Sequence, residues 1–384
     1  MRSTRLYFFL LFLATQLEVV AQNRLLHQDP EMFNAIRQGL HHVYNFEFEQ
    51  SQPYFLEIKK KYPQHPAYSF SQALTLFTKN FPIKPGHPEY KLFDYYVNDC
   101  LKKSSLILKN DPNNADGIFC HLSAQSYQAL MFSLSKDYLH AVGSAKKVYA
   151  LIKQGIEVKK EYPDFYFSSG MFYYYADQFP ETHPMAKPLM LFFENGNKEK
   201  GLNELNISML RGVYTKQESA ILLGYVYLKY ENKPEKSLEY SEKFYFNYPN
   251  NPFALARYME GLLFTKNYLK TKELLPKLQA SKSDFFKVVA EVYAGILEEE
   301  YANRPAVAKQ NYLHALKLIA TLPNKTDDLQ SFCYLGLGRI SDKEKDRKKA
   351  ILYYHKALNI AEYEVIKKEC EQRLQNENRS LSKH

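Results

Sequence analysis

Residues 335–358 read LGLGRISDKEKDRKKAILYYHKAL, and this stretch is the clearest guide to the fold. Gly336, Ala350 and Ala357 place small side chains on both sides of a polar turn, and Tyr354 follows Ala350 by four residues. Small residues let two helix backbones approach closely, and an aromatic ring one turn further on fills the space beside them. The pattern predicts two antiparallel helices joined by a short turn.

The same spacing recurs along the chain. Related sets are Gly39, Ser51, Phe55, Ile58 and Pro63; Gly224, Ser237, Ser241, Phe244 and Pro249; Gly295, Ala308, Tyr312 and Ala315; and, for the second helix alone, Cys100, Ser104, Ile107 and Pro112. Clusters of Pro, Asn and Asp separate the sets, as is typical just past the end of a helix. Between the clusters, apolar residues recur at i, i+3, i+4 and i+7, which favours helices over strands. Repeated helix pairs are therefore predicted throughout.

These residues resemble the tetratricopeptide repeat (TPR), a helix–turn–helix unit of about 34 residues that a proline closes. The resemblance implies an all-α fold, a right-handed superhelical α-solenoid of TPR-like helix–turn–helix repeats. It places about eight helix pairs and a closing helix within residues 22–376, before a disordered tail at 377–384. The expected pairs span 31–63, 66–112, 115–163, 165–212, 216–249, 252–280, 282–322 and 326–362, and the closing helix spans 364–376.

Two units are longer than the repeat because they contain proline-rich insertions at 80–88 and 179–188. Closely spaced prolines cannot continue a helix, so both segments are expected to be extended. Insertions in a solenoid fall on one face, which is often the binding face. They are either partner-facing loops or plain variations in length.

Composition limits the class of protein. The chain has 384 residues, more than the roughly 250–300 at which single hydrophobic cores stop growing. Glycine is scarce, with 14 residues, which argues against a many-turned β protein and against glycine-rich phosphate loops. The net charge is +9, and Lys clusters before turns, where it offsets the helix dipole. This distribution favours solvated helix ends over an anionic partner.

The N-terminus predicts export. Arg2 and Arg5 precede an apolar run at 6–14, which is too short to span a bilayer but fits the core of a signal peptide. Small residues before position 22 predict a signal peptide at 1–21, cleaved near Ala21, and a periplasmic or secreted protein. The rest of the chain has no apolar stretch long enough for a membrane span. The resemblance is therefore to an exported TPR protein of the bacterial type.

The four cysteines form no CxxC pair and are too few for a disulfide framework. They are expected to be small buried apolar side chains. In an oxidising compartment, Cys333 and Cys370 form the pair to test first, because they lie near the two ends of the last unit.

The chain contains no catalytic or phosphate-binding motif. His41 and His42 are adjacent, so on a helix they point about 100° apart and cannot share one metal. His183 lacks nearby ligands or carboxylates beyond Glu181, and residues 298–300 are most simply a solvated acidic face. We therefore predict a protein that is not an enzyme, with no catalytic residues, metal site or cofactor.

An interaction scaffold is the function that the sequence favours. The units carry no repeated polar code of the kind that RNA-reading repeats need, so nucleic acid is not an expected partner. The TPR resemblance allows a carboxylate clamp, but no unit has the required Asn after its marker Gly. A protein or peptide is instead expected on the concave face formed by the first helices, where the candidate contacts are Tyr174, Tyr225, Tyr258, Lys229 and Lys266.

The sequence leaves two points about function open. The same tyrosines fill inter-repeat gaps equally well. The alternative function is a small-molecule or glycan-binding component of envelope uptake or assembly machinery, with its ligand near the proline-rich insertions. The oligomeric state is not fixed by the sequence either.

Overall fold

A computed structural model describes residues 26–81, 83–135, 137–182, 194–322 and 326–381. After a short 3-10 turn at Leu26–Gln28, the helices are α1 (Pro30–Tyr44), α2 (Phe48–Lys61), α3 (Ala67–Lys79), α4 (Tyr90–Asn110), α5 (Ala115–Leu134), α6 (Tyr138–Val158), α7 (Phe165–Thr182), α8 (Lys198–Arg211), α9 (Lys216–Lys229), α10 (Pro234–Asn247), α11 (Pro252–Phe264), α12 (Tyr268–Gln279), α13 (Asp284–Glu300), α14 (Pro305–Ile319), α15 (Asp327–Lys343), α16 (Arg347–Ile360) and α17 (Glu364–Leu381). No strand occurs within these ranges.

Local sequence explains where several helices begin. Asp29 accepts a hydrogen bond from Met32 N at the start of α1, and Asn114 accepts one from Gly117 N at the start of α5. Asn251 does the same for Ala254 N before α11. Such side chains satisfy backbone N–H groups that have no partner inside the helix.

The helices pack in sequence order, each against its neighbours along the chain, from α1 to α8 and again from α10 to α17. The expected unit limits near residues 63, 112, 163, 212, 249, 280, 322 and 362 all lie in turns between helices. The predicted all-α solenoid class, with TPR-like helix pairs, is confirmed.

Close contacts between paired helices use glycine as expected. A Cβ atom added to Gly39 would lie 2.4 Å from the Phe55 ring, and one added to Gly338 would lie 2.4 Å from the Tyr354 ring. These contacts correct the register of the last unit. Gly338 is the residue that faces its own hairpin partner, whereas Gly336 faces Tyr312 of the preceding unit.

The chain divides into two compact units, unit 1 up to Ser219 and unit 2 from Ala220. In unit 1, the segment at 212–219 covers the first helices. The Tyr214 ring packs 5.4 Å from Phe70 of α3 and 5.1 Å from Phe119 of α5. Unit 1 therefore closes on itself with aromatic contacts between residues far apart in the sequence.

Three local expectations need comment. Helix α7 runs to Thr182 and includes Pro180, so residues 179–182 are helical where an extended segment was expected; the remainder of the 179–188 insertion lies outside the described residues. Helix α17 runs to Leu381, five residues past its expected end, because neither Pro nor Gly interrupts it. The signal peptide predicted at 1–21 also lies outside the described residues.

All four cysteines are buried and unpaired, and Cys333 and Cys370, the pair to test first, are not bonded to each other. Another two lie close together, with Cys100 Sγ 3.5 Å from the Cys120 carbonyl oxygen. A hydrogen bond with Cys100, together with burial, raises the pKa of the Cys120 thiol well above its ordinary value.

Two features are absent from the described ranges. No helix there is both long and apolar enough to cross a bilayer. Nor do His, Cys, Asp and Glu side chains gather there in a group of three suited to a metal ion.

Candidate functional site

The predicted contact residues Tyr174 and Tyr258 are buried between helices. Tyr174 on α7 is fully buried, with no exposed surface. The Tyr258 ring stacks 5.3 Å from Tyr245, and its hydroxyl donates to Glu242 Oε1 at 3.2 Å. Both rings pack between helices, so neither offers the free surface that was predicted.

Lys266 does not join the other predicted residues. It is exposed in the turn between α11 and α12, where its φ of 59° lies in the left-handed region. Its backbone N–H donates to the Leu263 carbonyl oxygen at 3.0 Å. Lys266 therefore belongs to this turn and not to the first-helix face.

The side chains of Tyr225 and Lys229 of α9 contact another residue of the same chain. Lys229, which is 8% exposed, donates to the Glu362 carboxylate and to the Tyr225 hydroxyl. The Tyr225 hydroxyl also lies 3.5 Å from Glu362 Oε2. The structure thus brings these two predicted residues together, but around the carboxylate of Glu362 from the same chain.

Tyr363, the residue after Glu362, explains why this carboxylate lies beside α9. Tyr363 is 1% exposed and donates to Glu260 Oε1 of α11 at 2.7 Å. Its ring lies 5.6 Å from Phe264 of α11 and 5.4 Å from Phe332 of α15. The turn between α16 and α17 therefore covers the first helices of unit 2, where the open groove was predicted.

An open pocket lies elsewhere, between α4 and α5 of unit 1. It encloses about 240 Å³, more than the roughly 150 Å³ that holds benzene in an engineered protein cavity. Helix α4 and helix α5 supply most of its walls, and Asp137 completes it just before α6. The lining residues are Tyr90, Phe93, Asp94, Val97, Tyr127, Gln128, Met131, Phe132, Ser135 and Asp137.

Helix geometry explains why these side chains converge. On α4, Tyr90, Phe93, Asp94 and Val97 follow the i, i+3, i+4, i+7 spacing of one helix face. On α5, Tyr127 and Met131 are likewise four residues apart. Two neighbouring helices therefore turn one face each toward a shared space.

The pocket is a product of insertion into the repeat. Cys100 corresponds to Ser51 in the repeat pattern, and α2 begins three residues before Ser51, whereas α4 begins ten residues before Cys100. Tyr90, Phe93 and Asp94 lie in these additional turns, directly after the 80–88 insertion.

Aromatic packing fixes the floor of the pocket. Phe93 is 1% exposed, and its ring meets Tyr127 edge to face at 5.4 Å and 81°. Behind both, Phe77 of α3 lies 6.2 Å from Phe93 and 5.1 Å from Tyr127. Since packed rings have few alternative rotamers, the floor is held in one geometry.

The phenols of the pocket stay neutral at physiological pH. Burial raises the pKa of Tyr127, and burial together with the Asp94 carboxylate raises the pKa of Tyr90. Asp94 Oδ2 accepts a hydrogen bond from Asn98 at 3.0 Å, and Asp137 accepts from the His140 backbone N–H and its Nδ1. The walls thus combine apolar rings with carboxylate oxygens.

The fold defines an all-α helical-repeat protein, and comparisons with known proteins add little to that class. No protein-family model matches the chain, and no curated protein matches it. Among solved structures, it is similar to the human IFIT1 dimer with m7Gppp-AAAA, at 12% identity and a TM-score of 0.36, covering 90% of this chain and 72% of that one. A monomeric mutant of IFIT1 with m7Gppp-AAAA gives 10% identity and the same TM-score of 0.36, covering 89% of this chain and 72% of that one. At these values, the likeness carries no argument about function.

Proposed function

We propose that this protein is a non-enzymatic binding protein of an extracytoplasmic compartment, and that its repeats hold a small ligand in the α4–α5 pocket. The pocket itself is the observation that carries the proposal: a concave space of about 240 Å³ whose lining combines four aromatic rings with the polar side chains of Asp94, Gln128, Ser135 and Asp137. Ligand sites in proteins have this character.

The closed first-helix faces support the same choice. In unit 2, the face expected to bind a peptide is covered by Glu362 and Tyr363. In unit 1, Tyr214 covers Phe70 and Phe119. A partner on these faces would have to displace buried contacts of the chain itself.

A pocket-filling variant tests the proposal. The chain has no Trp, so Gln128→Trp both fills the pocket and introduces a single indole. Leu106→Trp is the matched control, because Leu106 lies on α4, is 54% exposed and does not line the pocket. Wild type and both variants are purified from the native envelope, and native mass spectrometry then measures bound small molecules.

We expect the same bound mass on wild type and on Leu106→Trp, and none on Gln128→Trp. Circular dichroism must show that all three are equally helical. A bound mass that survives in Gln128→Trp, or its absence from all three proteins, would contradict the proposal.

A protein or peptide partner is the second candidate. Exposed apolar side chains on the helices that form the pocket favour it: Leu92 and Tyr95 on α4, and Leu130 and Leu134 on α5. Leu130→Glu with Leu134→Glu should abolish recovery of one defined partner, whereas Leu210→Glu on α8 should not, since Leu210 is 72% exposed on a different helix. Equal recovery with both variants would remove this candidate.

Export is part of the proposal and rests on Arg2, Arg5 and the apolar run at 6–14. Residues 1–30 fused to a reporter should direct it out of the cytoplasm, and the mature N-terminus should lie near Gln22. Cytoplasmic protein that retains Met1 would exclude this location.

A further inference from the structure

The charged side chains among the described lining residues of the α4–α5 pocket are opposite in sign to the net charge of the chain. The chain carries a net charge of +9. Among the described lining residues, however, the charged side chains are the carboxylates Asp94 and Asp137, with no Lys, Arg or His. A negative pocket in a basic protein favours cationic ligands, because opposite charges attract strongly where water is partly excluded.

Asp94 has capacity to bind. Asn98 donates to its Oδ2, while within the described part of the chain its Oδ1 has no hydrogen-bond partner. Asp137 is already engaged by His140, which is exposed at the rim and stacks on Phe132 at 5.2 Å. Asp94 is therefore the expected direct contact, and Asp137 is a second carboxylate in the lining.

The rings supply the second element of recognition. Tyr90, Tyr127 and Phe132 are partly exposed at the pocket, and Phe93 forms its floor. The faces of aromatic rings carry negative electrostatic potential and attract cations within about 6 Å of the ring centroid. Several rings beside a carboxylate form the arrangement that recognises substituted ammonium groups.

We propose that the α4–α5 pocket binds the substituted ammonium group of a small organic cation. The proposal rests on the proposed function, since it names the ligand class for the same pocket. Methyl groups of the ammonium contact Phe93 and Tyr127, while its charge faces Asp94. A neutral or anionic molecule of the same shape lacks the attraction to the Asp94 carboxylate and binds more weakly.

Isothermal titration of the full chain with choline and 3,3-dimethylbutan-1-ol tests the charge directly, because the two probes have the same shape and differ in charge. We expect choline to bind at least about tenfold more tightly, within the range of one cation–ring contact plus one carboxylate. High salt should narrow the difference, since screening weakens attraction between partly exposed charges.

Variants locate the effect. Asp94→Asn with Asp137→Asn should remove the preference for choline; Asn at 137 still caps α6. Glu57→Gln with Glu157→Gln is the matched control, because it removes two exposed carboxylates of unit 1 outside the pocket and should leave the preference intact. Tyr127→Leu should weaken both probes. Thermal unfolding of each variant shows whether its fold is retained.

The source of the cation is a separate arm of the titration. A short lysine-containing peptide that binds in competition with choline would assign the ammonium group to a peptide side chain and support the same chemistry. Equal binding of choline and its neutral analogue, absence of choline binding, or an unchanged preference in the double Asp variant would overturn the inference. Native mass spectrometry that finds a neutral or anionic ligand in the pocket would overturn it too, while leaving the proposed function intact.

Discussion

Replacing Glu218 by Gln should stabilise the protein at pH 8 and have little effect at pH 5. Glu218 accepts a hydrogen bond from the Tyr44 hydroxyl of α1, and its Oε2 is buried without a hydrogen-bond partner among the described residues. Burial raises the pKa of this carboxyl from 4.5 to about 8. The folded protein therefore keeps a proton on Glu218 where the unfolded chain releases it.

The sign follows from this difference. A carboxyl whose pKa is raised on folding does not destabilise the fold below pH 4.5, and stability is lost as the pH rises toward about 8. One pKa unit corresponds to about 1.4 kcal/mol, and at pH 7 only the part of the shift between pH 4.5 and pH 7 contributes, so the cost there is about 3 kcal/mol. Because Glu218 is only partly buried as a side chain, solvent screening reduces the expected cost to about 1–3 kcal/mol.

Urea unfolding followed by circular dichroism at pH 5, 6, 7 and 8 measures the effect. Glu218→Gln cannot ionise, so its unfolding midpoint should exceed that of wild type increasingly from pH 5 to pH 8. Glu57→Gln, an exposed substitution on α2, should parallel wild type throughout. Identical pH profiles for Glu218→Gln and wild type would mean that Glu218 is solvated and ionised in the folded protein, contrary to its burial.

Two further substitutions test packing. Tyr363→Phe removes the donor to buried Glu260 and should lower the free energy of unfolding by about 1–3 kcal/mol. An unchanged urea midpoint would mean that the α16–α17 turn does not cover the first helices of unit 2 in solution. Gly39→Leu forces a side chain into the Phe55 ring, so overpacking should lower the free energy of unfolding by about 1–3 kcal/mol or more. A lower melting temperature measures this effect. Gly143→Ala, which meets no atom within 4 Å, should instead stabilise α6 by about 0.5–1 kcal/mol; equal melting of both glycine variants would contradict the contact.

Local pattern is sufficient for the helix pairs because the information is local. A marker Gly and its ring, such as Gly39 and Phe55, lie within one hairpin, and prolines and asparagines mark its ends. The register error in the last unit, Gly336 in place of Gly338, occurs where two glycines are two residues apart and face different helices. The spacing of the first unit points to the correct residue, because Gly39 precedes Ser51 by 12 residues and Gly338, not Gly336, precedes Ala350 by 12.

Closure of the units is not predictable in the same way. The contacts that close them join Tyr44 to Glu218 and Lys229 to Glu362, which are 174 and 133 residues apart. Small rotations between successive pairs, which the repeat pattern does not encode, decide whether such residues meet. The pattern therefore places Tyr225 and Lys229 on the first-helix face without any sign that the chain itself covers them.

The lining of the pocket is not predictable from the repeat pattern, because Tyr90, Phe93 and Asp94 lie in additional turns before the repeat position at Cys100. The alternative function placed a ligand near the 80–88 insertion, and Tyr90 follows that insertion closely. A usable signal is present in the helical spacing of Tyr90, Phe93 and Val97 before the repeat position at Cys100. These residues predict additional turns at the start of α4, with an apolar face that no helix of the repeat pattern would cover.

Whether the α4–α5 pocket is the ligand site can be decided by a crystal structure of the protein purified from its native envelope, without ligand added. We predict electron density for a bound small molecule between α4 and α5, in contact with Phe93 and Tyr127, while Tyr363 remains buried against α11. Density for a ligand on the first helices of unit 2, with the α16–α17 turn displaced, would contradict this assignment.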